Sequence, residues 1–178
     1  MRISIIPTDT CIGLGCLIDD HEAYDLLYAM KERDKVKPIS LLVRDWEELE
    51  EETHLNSRQI DFLKSYKFPF TVVTDVDEDF RVEFDLDEEI YDQVGFRVGE
   101  ACLEPQTLDY IPGTMFLTSA NKAGEDECET VEEVKEEFAH YDKYLKVLPG
   151  NIFNNAASNV IKFVGDSTEL EYLRKNYP

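Results

Sequence analysis

Positive charge is scarce in this sequence. Lysine and arginine together number 18 against 39 aspartates and glutamates, for a formal net charge of -21. Affinity for nucleic acid comes largely from neutralising phosphates with Lys and Arg, so this balance argues against broad nucleic-acid binding. Any anion site has to be a local basic pocket in an acidic surface. Cysteine and histidine are sparse too. Cys11, Cys16, Cys102 and Cys128 form no CxxC pair, and His21, His54 and His140 do not cluster with them. The pattern predicts reduced, mostly packed thiols and no metal site. No apolar run approaches the roughly 20 residues that span a bilayer. "RISIIPTDT" follows Met1 with no basic-then-apolar leader, so a soluble, cytoplasmic protein is expected. No GxxxxGK[ST] loop occurs. The histidines lie away from the polar clusters described below, so no Ser-His-Asp arrangement suggests itself.

What is present is enough for a core. The 178 residues are 43% hydrophobic and 11% aromatic, which predicts one domain over residues 1–178 and excludes a disordered acidic polymer. Strands are expected over 2–6, 39–43, 70–76, 93–98 and 114–120, with late strands at "KYLKVL" and "SNVIKFV". "CIGLGCLI" (11–18) is a short apolar segment broken by Gly13 and Gly15. Helices are expected from Asp19 or Asp20 to about residue 32, from a capped turn at Asp45, over 56–66, over 105–111, and from Thr130 to about 139. Residues 75–89 read as an acidic insertion around a strand, a solvated hairpin. "STELEYLRKNY" fits either a strand or a helix. The alternation predicts an α/β fold, a mixed sheet covered by helices.

Four polar clusters follow strand signals: "PTDT" (7–10), "KERDKVKP" (31–38), "FRVG" (96–99) and "TSANKAG" (118–124). Strand ends are where α/β proteins build sites. Lys and Arg offer fixed charge for phosphates or carboxylates, and Ser, Thr and Asn offer neutral donors and acceptors. Each cluster alone also reads blandly, as a turn, a helix cap or a charge complement to a helix dipole. Lys31, Arg33, Lys35 and Lys37 occupy every second position. In an extended segment alternate side chains share a face, so all four would point at one anion.

Order and spacing together are more specific. The chain has "PTDTCIGLG", then "KERDKVKPISLLV", "FPFTVV", "FRVG", "TSANKAG", and "SNVIKF" with "YLRKN" beyond. In this order they resemble the landmarks of the YrdC family, the threonylcarbamoyl-AMP synthases: "PTDTVYGLG", "KxRP..KP", "PGPxT", "VRxP", "TSANxSG" and "STVVD" followed by an arginine. The resemblance covers nearly the whole chain. It implies a YrdC/RibB-like single domain: a twisted mixed sheet with flanking helices. It implies a nucleotidyltransferase that takes L-threonine, bicarbonate and ATP, with Mg²⁺, and has an indirect link to tRNA through other modification enzymes. It also implies a monomer or weak dimer.

By position, the resemblance implies that Lys31 and Arg33 face the triphosphate and the intermediate, with Lys37 extending that wall. Thr8, Thr10, Arg97, Ser119 and Ser158 would hold threonine. Thr71, Asn121 and Arg174 would join Arg33 and Lys37 around ATP. Departures from the family pattern are Asp34 after the key arginine, Ile12, Gly99, Ala123, Asn159, Lys162, and "KFP" in place of "PGP". They keep two alternatives open: a non-catalytic module that binds nucleotide or RNA, and an acidic α/β protein whose motifs are structural remnants.

Overall fold

The computed structural model describes residues 2–178. The strands are β1 (Ile3–Pro7), β2 (Ile12–Leu17), β3 (Ser40–Val43), β4 (Phe70–Asp75), β5 (Gln93–Val98), β6 (Met115–Ser119), β7 (Leu145–Val147), β8 (Asn159–Phe163) and β9 (Leu170–Arg174). They form one sheet in the order β7-β1-β2-β6-β3-β5-β4-β8-β9. β1 with β7, β3 with β5, and β4 with β8 run parallel. The other neighbours run antiparallel. The fold is therefore a mixed α/β sheet with helices around it, as expected.

The helices are α1 (His21–Lys31), α2 (Trp46–Glu52), α3 (Ser57–Ser65), α4 (Glu78–Glu83), α5 (Glu88–Tyr91), α6 (Gly99–Cys102), α7 (Pro105–Leu108) and α8 (Val131–Glu137). Caps foreseen in the sequence start several of them. Asp20 accepts from the Ala23 amide, Asp45 from Glu48, and Thr130 from Glu133; Asn56 and Gln59 form a full capping box. Each such cap contributes about 1 kcal/mol. No helix among the described residues is long and apolar enough to cross a membrane.

Successive side chains on a strand point to opposite faces. One face carries Ile5, Leu14, Leu41, Val72, Phe96 and Phe116, packed with Leu27 of α1, Leu49 of α2 and Ile60 of α3. The other face has a smaller core: Ile6, Leu42, Met115 and Leu117 with Cys102 and Ile111. That smaller core leaves part of the second face without a helix. The residues alternating with the main core there are polar: Ser40, Thr71 and Arg97. Gly95 sits among them because nothing larger fits. A β-carbon there would lie 2.7 Å from Thr71 Cγ2 and 3.1 Å from Ser40 Oγ.

Two expectations change. Residues 75–89 do not form a hairpin but α4 and the start of α5. Asp77 caps α4 by accepting from the Asp79 and Phe80 amides, and Asp87 caps α5 at Glu89. The undecided C-terminal stretch is a strand, because β8 offers it a free edge to pair with.

Candidate active site

A cavity of about 200 Å³ runs across the polar face of the sheet. Its lining follows the strand order: Gly13 on β2, Leu117 and Ser119 on β6, Ser40 on β3, Arg97 on β5, Thr71 on β4 and Arg174 on β9. Loops at strand ends add Thr8, Thr10 and Ser158, and Arg33 enters from the segment after α1. A second cavity, of about 350 Å³, shares Arg97 and is walled by Tyr66, Phe68, Phe70 and Phe153, with Asp9 and Asn155.

Arg97 is the fixed charge between the two cavities. It is 6% exposed. Its Nη2 donates to Asp9 Oδ1, and its Nη1 donates to Thr10 Oγ1 at 3.4 Å. Its Nε is buried with no partner among the described residues. Burial pushes the Asp9 carboxyl above its ordinary value, against the pull of the Arg97 charge. Thr8 Oγ1 donates to the Cys11 carbonyl at 2.7 Å and lies 3.2 Å from Thr10 Oγ1, so the "PTDT" turn braces itself. Across the cavity, Thr71 Oγ1 and Ser158 Oγ are 2.8 Å apart. Arg174 clamps this corner by donating Nε and Nη2 to the Ser158 carbonyl at 3.0 and 2.9 Å.

The four alternating cations do not share a face. The segment is not extended: Lys31 ends α1, Glu32 turns left-handed at φ 51°, and Lys37 N closes a turn on the Asp34 carbonyl. Lys35 instead pairs with Asp25 at 2.5 Å, and the Lys37 side chain is exposed and outside the cavity lining. Arg33 alone of the four lines the cavity. Its Nε and Nη2 are pinned by the carbonyls of Lys37 and Pro38 at 3.3 and 2.8 Å. Asp34 is spent locally, accepting from the Val36 amide at 3.1 Å.

Lys31 is 2% exposed and acts as a strut. Its Nζ donates to the carbonyls of Ser119 and Asn121 at 2.5 and 2.6 Å, and to Asn121 Oδ1 at 3.1 Å. Ser119 Oγ donates to the same Oδ1 at 2.6 Å. Asn121 also lies outside the cavity lining, and with Lys31 it fixes the loop that presents Ser119. Burial, then the nearby Arg33 charge, lowers the Lys31 ammonium to about 8. Lys31→Met would leave the Asn121 carbonyl without a donor, at about 1–3 kcal/mol, and would take one donor from the Ser119 carbonyl and one from Asn121 Oδ1. The expected result is a lower thermal midpoint and faster proteolysis within residues 119–127; an unchanged midpoint would remove the strut role.

Several lining residues are not marked by any spacing in the sequence. Asp9 lies inside "PTDT", where its carboxylate looks like turn chemistry. Cys11 and Glu127 also line the cavity. Burial, aided by Glu127, pushes the Cys11 thiol up to about 11, so it stays protonated. Asn155 ties the loop before β8 to the first turn, donating Nδ2 to the Asp9 carbonyl at 2.8 Å. These contacts join residues more than a hundred positions apart, so no local pattern reveals them.

The polar face, its buried arginine and its loop struts are thus built from the same landmarks that are spread along the sequence. A family model named Sua5_yciO_yrdC, described as "Telomere recombination", matches residues 2–175. The chain belongs to the Sua5/YciO/YrdC family. A Serratia proteamaculans protein named threonylcarbamoyl-AMP synthase is 29% identical over 142 residues, covering 77% of this chain and 73% of that protein. Among solved structures, E. coli YciO superposes with a TM-score of 0.76 at 21% identity, covering 98% of this chain and 82% of that one. P. abyssi Sua5 complexed with L-threonine superposes at 0.74 and 20% identity, covering 97% of this chain. The chain spans about half the length of that Sua5, 50%. The structural likenesses carry the fold; the sequence matches carry the family.

Proposed function

We propose that this family member is a threonylcarbamoyl-AMP synthase. The amine of L-threonine attacks bicarbonate with loss of water, giving N-carboxythreonine. The new carboxylate then attacks the α-phosphorus of ATP, and pyrophosphate leaves. The product, threonylcarbamoyl-AMP, would pass to other enzymes for tRNA modification. The observation that carries this reading is the gathering of Thr8, Thr10, Arg33, Thr71, Arg97, Ser119, Ser158 and Arg174 around one polar cavity. The curated relative's name and the threonine bound by P. abyssi Sua5 support it.

The chemistry asks for positioning and charge neutralisation rather than a protein nucleophile. In this reading Arg97 receives the threonine carboxylate. Thr8, Thr10 and Ser119 orient the amino acid. Arg33, held by two carbonyls and so aimed, faces the phosphates. Arg174, Thr71 and Ser158 form the nucleotide end. Mg²⁺ fits as part of the substrate: no group of three or more His, Cys, Asp or Glu among the described residues is placed to hold a metal, so it would arrive on the ATP phosphates.

The test uses ATP, Mg²⁺, bicarbonate and threonine. Threonine-dependent pyrophosphate release is expected, together with an ATP-induced rise in melting temperature. Arg33→Ala is expected to lose both. A rise with ATP but no pyrophosphate would favour the non-catalytic alternative, and no response to ATP at all would leave only a structural remnant.

A further inference from the structure

The 200 Å³ cavity carries charge of both signs. Arg33, Arg97 and Arg174 line it, and so does one carboxylate, Glu127. A pocket that only took phosphates would gain nothing from a carboxylate on its wall, since like charges repel. Nor does Glu127 neutralise one of the arginines: it forms no ion pair among the described residues, whereas Asp9 is already paired with Arg97.

Glu127 stands at the "PTDT" end of the cavity. The Cys11 thiol faces it closely enough for its charge to help push that thiol up. Along the same wall Cys11 Sγ lies 4.0 Å from Thr10 Oγ1, which lies 3.4 Å from Arg97 Nη1. One thiol and one hydroxyl thus separate the carboxylate from the guanidinium. Arg174 and Ser158 close the opposite corner, where the phosphates and the nucleotide would be spared the negative charge. The side chain of Glu127 is exposed, but its loop is pinned on both sides. Asn121 Nδ2 donates to the Glu125 carbonyl at 2.7 Å, the Cys128 amide donates to the Ala120 carbonyl at 3.0 Å, and the Ala120 amide donates to the Ile12 carbonyl at 2.9 Å.

An anion held beside a cation on one wall suits a zwitterion. We propose that Glu127 binds the α-ammonium of the amino-acid substrate whose carboxylate Arg97 receives. This rests on the reading of the cavity as an amino-acid site, and it makes Glu127 a specificity residue. An ammonium gains a charge-assisted contact from the carboxylate that a neutral hydroxyl in its place would not.

The experiment is calorimetric titration at moderate salt with L-threonine and with the hydroxy acid of the same carbon skeleton, in which a hydroxyl replaces the ammonium. The wild type is expected to bind threonine more tightly. Glu127→Gln is expected to lose about tenfold or more for threonine and nothing for the hydroxy acid. Glu127→Asp keeps the charge and should retain a preference for threonine. Asp126→Asn removes the same charge one residue away, outside this cavity lining, and should change neither affinity. Equal losses in Glu127→Gln and Asp126→Asn would reduce the effect to diffuse attraction and overturn the proposal. So would equal losses for the two ligands, undiminished threonine binding, or no saturable threonine binding. A pyrophosphate assay on the same variants separates this from the synthase reading. Threonine binding that depends on Glu127 without any pyrophosphate release upholds the ammonium site and removes the synthase. Threonine-dependent pyrophosphate release with an unchanged KM for threonine in Glu127→Gln does the reverse.

Discussion

Arg97→Met is expected to abolish synthase turnover and to destabilise the chain, and the two effects should separate in a double variant. The guanidinium is buried and held by Asp9 and Thr10. Removing it leaves a carboxylate with 27% side-chain exposure and no counter-charge. Breaking a fully buried pair costs about 3–5 kcal/mol, so for this partly wetted one about 2–3 kcal/mol is expected. Asp9→Asn/Arg97→Met should recover most of that loss. Activity in the proposed reaction should stay down by about 100-fold or more, since the charge-assisted contact to the threonine carboxylate proposed for Arg97 would still be missing. Thermal melts and pyrophosphate assays on the three variants check this. A double variant that regains turnover would show that Arg97 only supports Asp9.

Glu52→Gln is expected to stabilise the protein at alkaline pH. Burial, then the charges of Glu48, Glu51 and Asp45, raise the Glu52 carboxyl from 4.5 to about 8, against the Thr114 hydrogen bond. The folded chain therefore binds this proton more tightly than the unfolded chain does. The resulting stabilisation is fully present below the unfolded value of 4.5 and is lost as pH rises towards about 8. A tenfold difference in proton affinity between the two states is worth about 1.4 kcal/mol. Glutamine carries no proton to lose but keeps one nitrogen unpaired, which offsets part of the gain, so a net gain of about 2 kcal/mol is expected at pH 8. For a chain of this size that is about 4–8 °C in melting temperature. At pH 4 the protonation gain is absent and only the cost of the unpaired glutamine nitrogen remains, so there the variant should melt below the wild type. Parallel melting curves across the whole range would show that Glu52 does not titrate in this window.

β1 and β3 to β8 were legible because their side chains are β-branched or aromatic and bounded by turn residues; β2, interrupted by Gly13 and Gly15, read only as a short apolar segment, and β9 fitted a helix equally well. The caps Asp20, Asp45, Asn56 and Thr130 were legible because a cap acts within three residues. Residues 75–89 mislead because "DFRVEF" alternates like a strand. The contrary signals are Asp77 as a cap and Phe80 and Phe84 four apart, whose rings pack against each other across the last turn of α4. Thr8, Thr10, Arg33, Arg97, Ser119 and Ser158 stand in the ordered motifs and line one cavity, so the motif order pointed to that cavity. The role of Lys31 did not follow from sequence. Whether a lysine reaches solvent or three acceptors on a distant loop depends on how α1 docks beside β6. Asp34 looked like a carboxylate set against a phosphate wall; it is instead consumed by a two-residue turn.

The most direct measurement follows the carbon of bicarbonate. The protein is incubated with labelled bicarbonate, L-threonine, ATP and Mg²⁺, and the nucleotide products are separated and weighed by mass spectrometry. The expected result is one product that carries the label, the threonine and AMP together, formed in equal amount with pyrophosphate and absent when threonine is left out. Pyrophosphate released with unlabelled AMP, or no labelled nucleotide under any salt condition, would contradict the account.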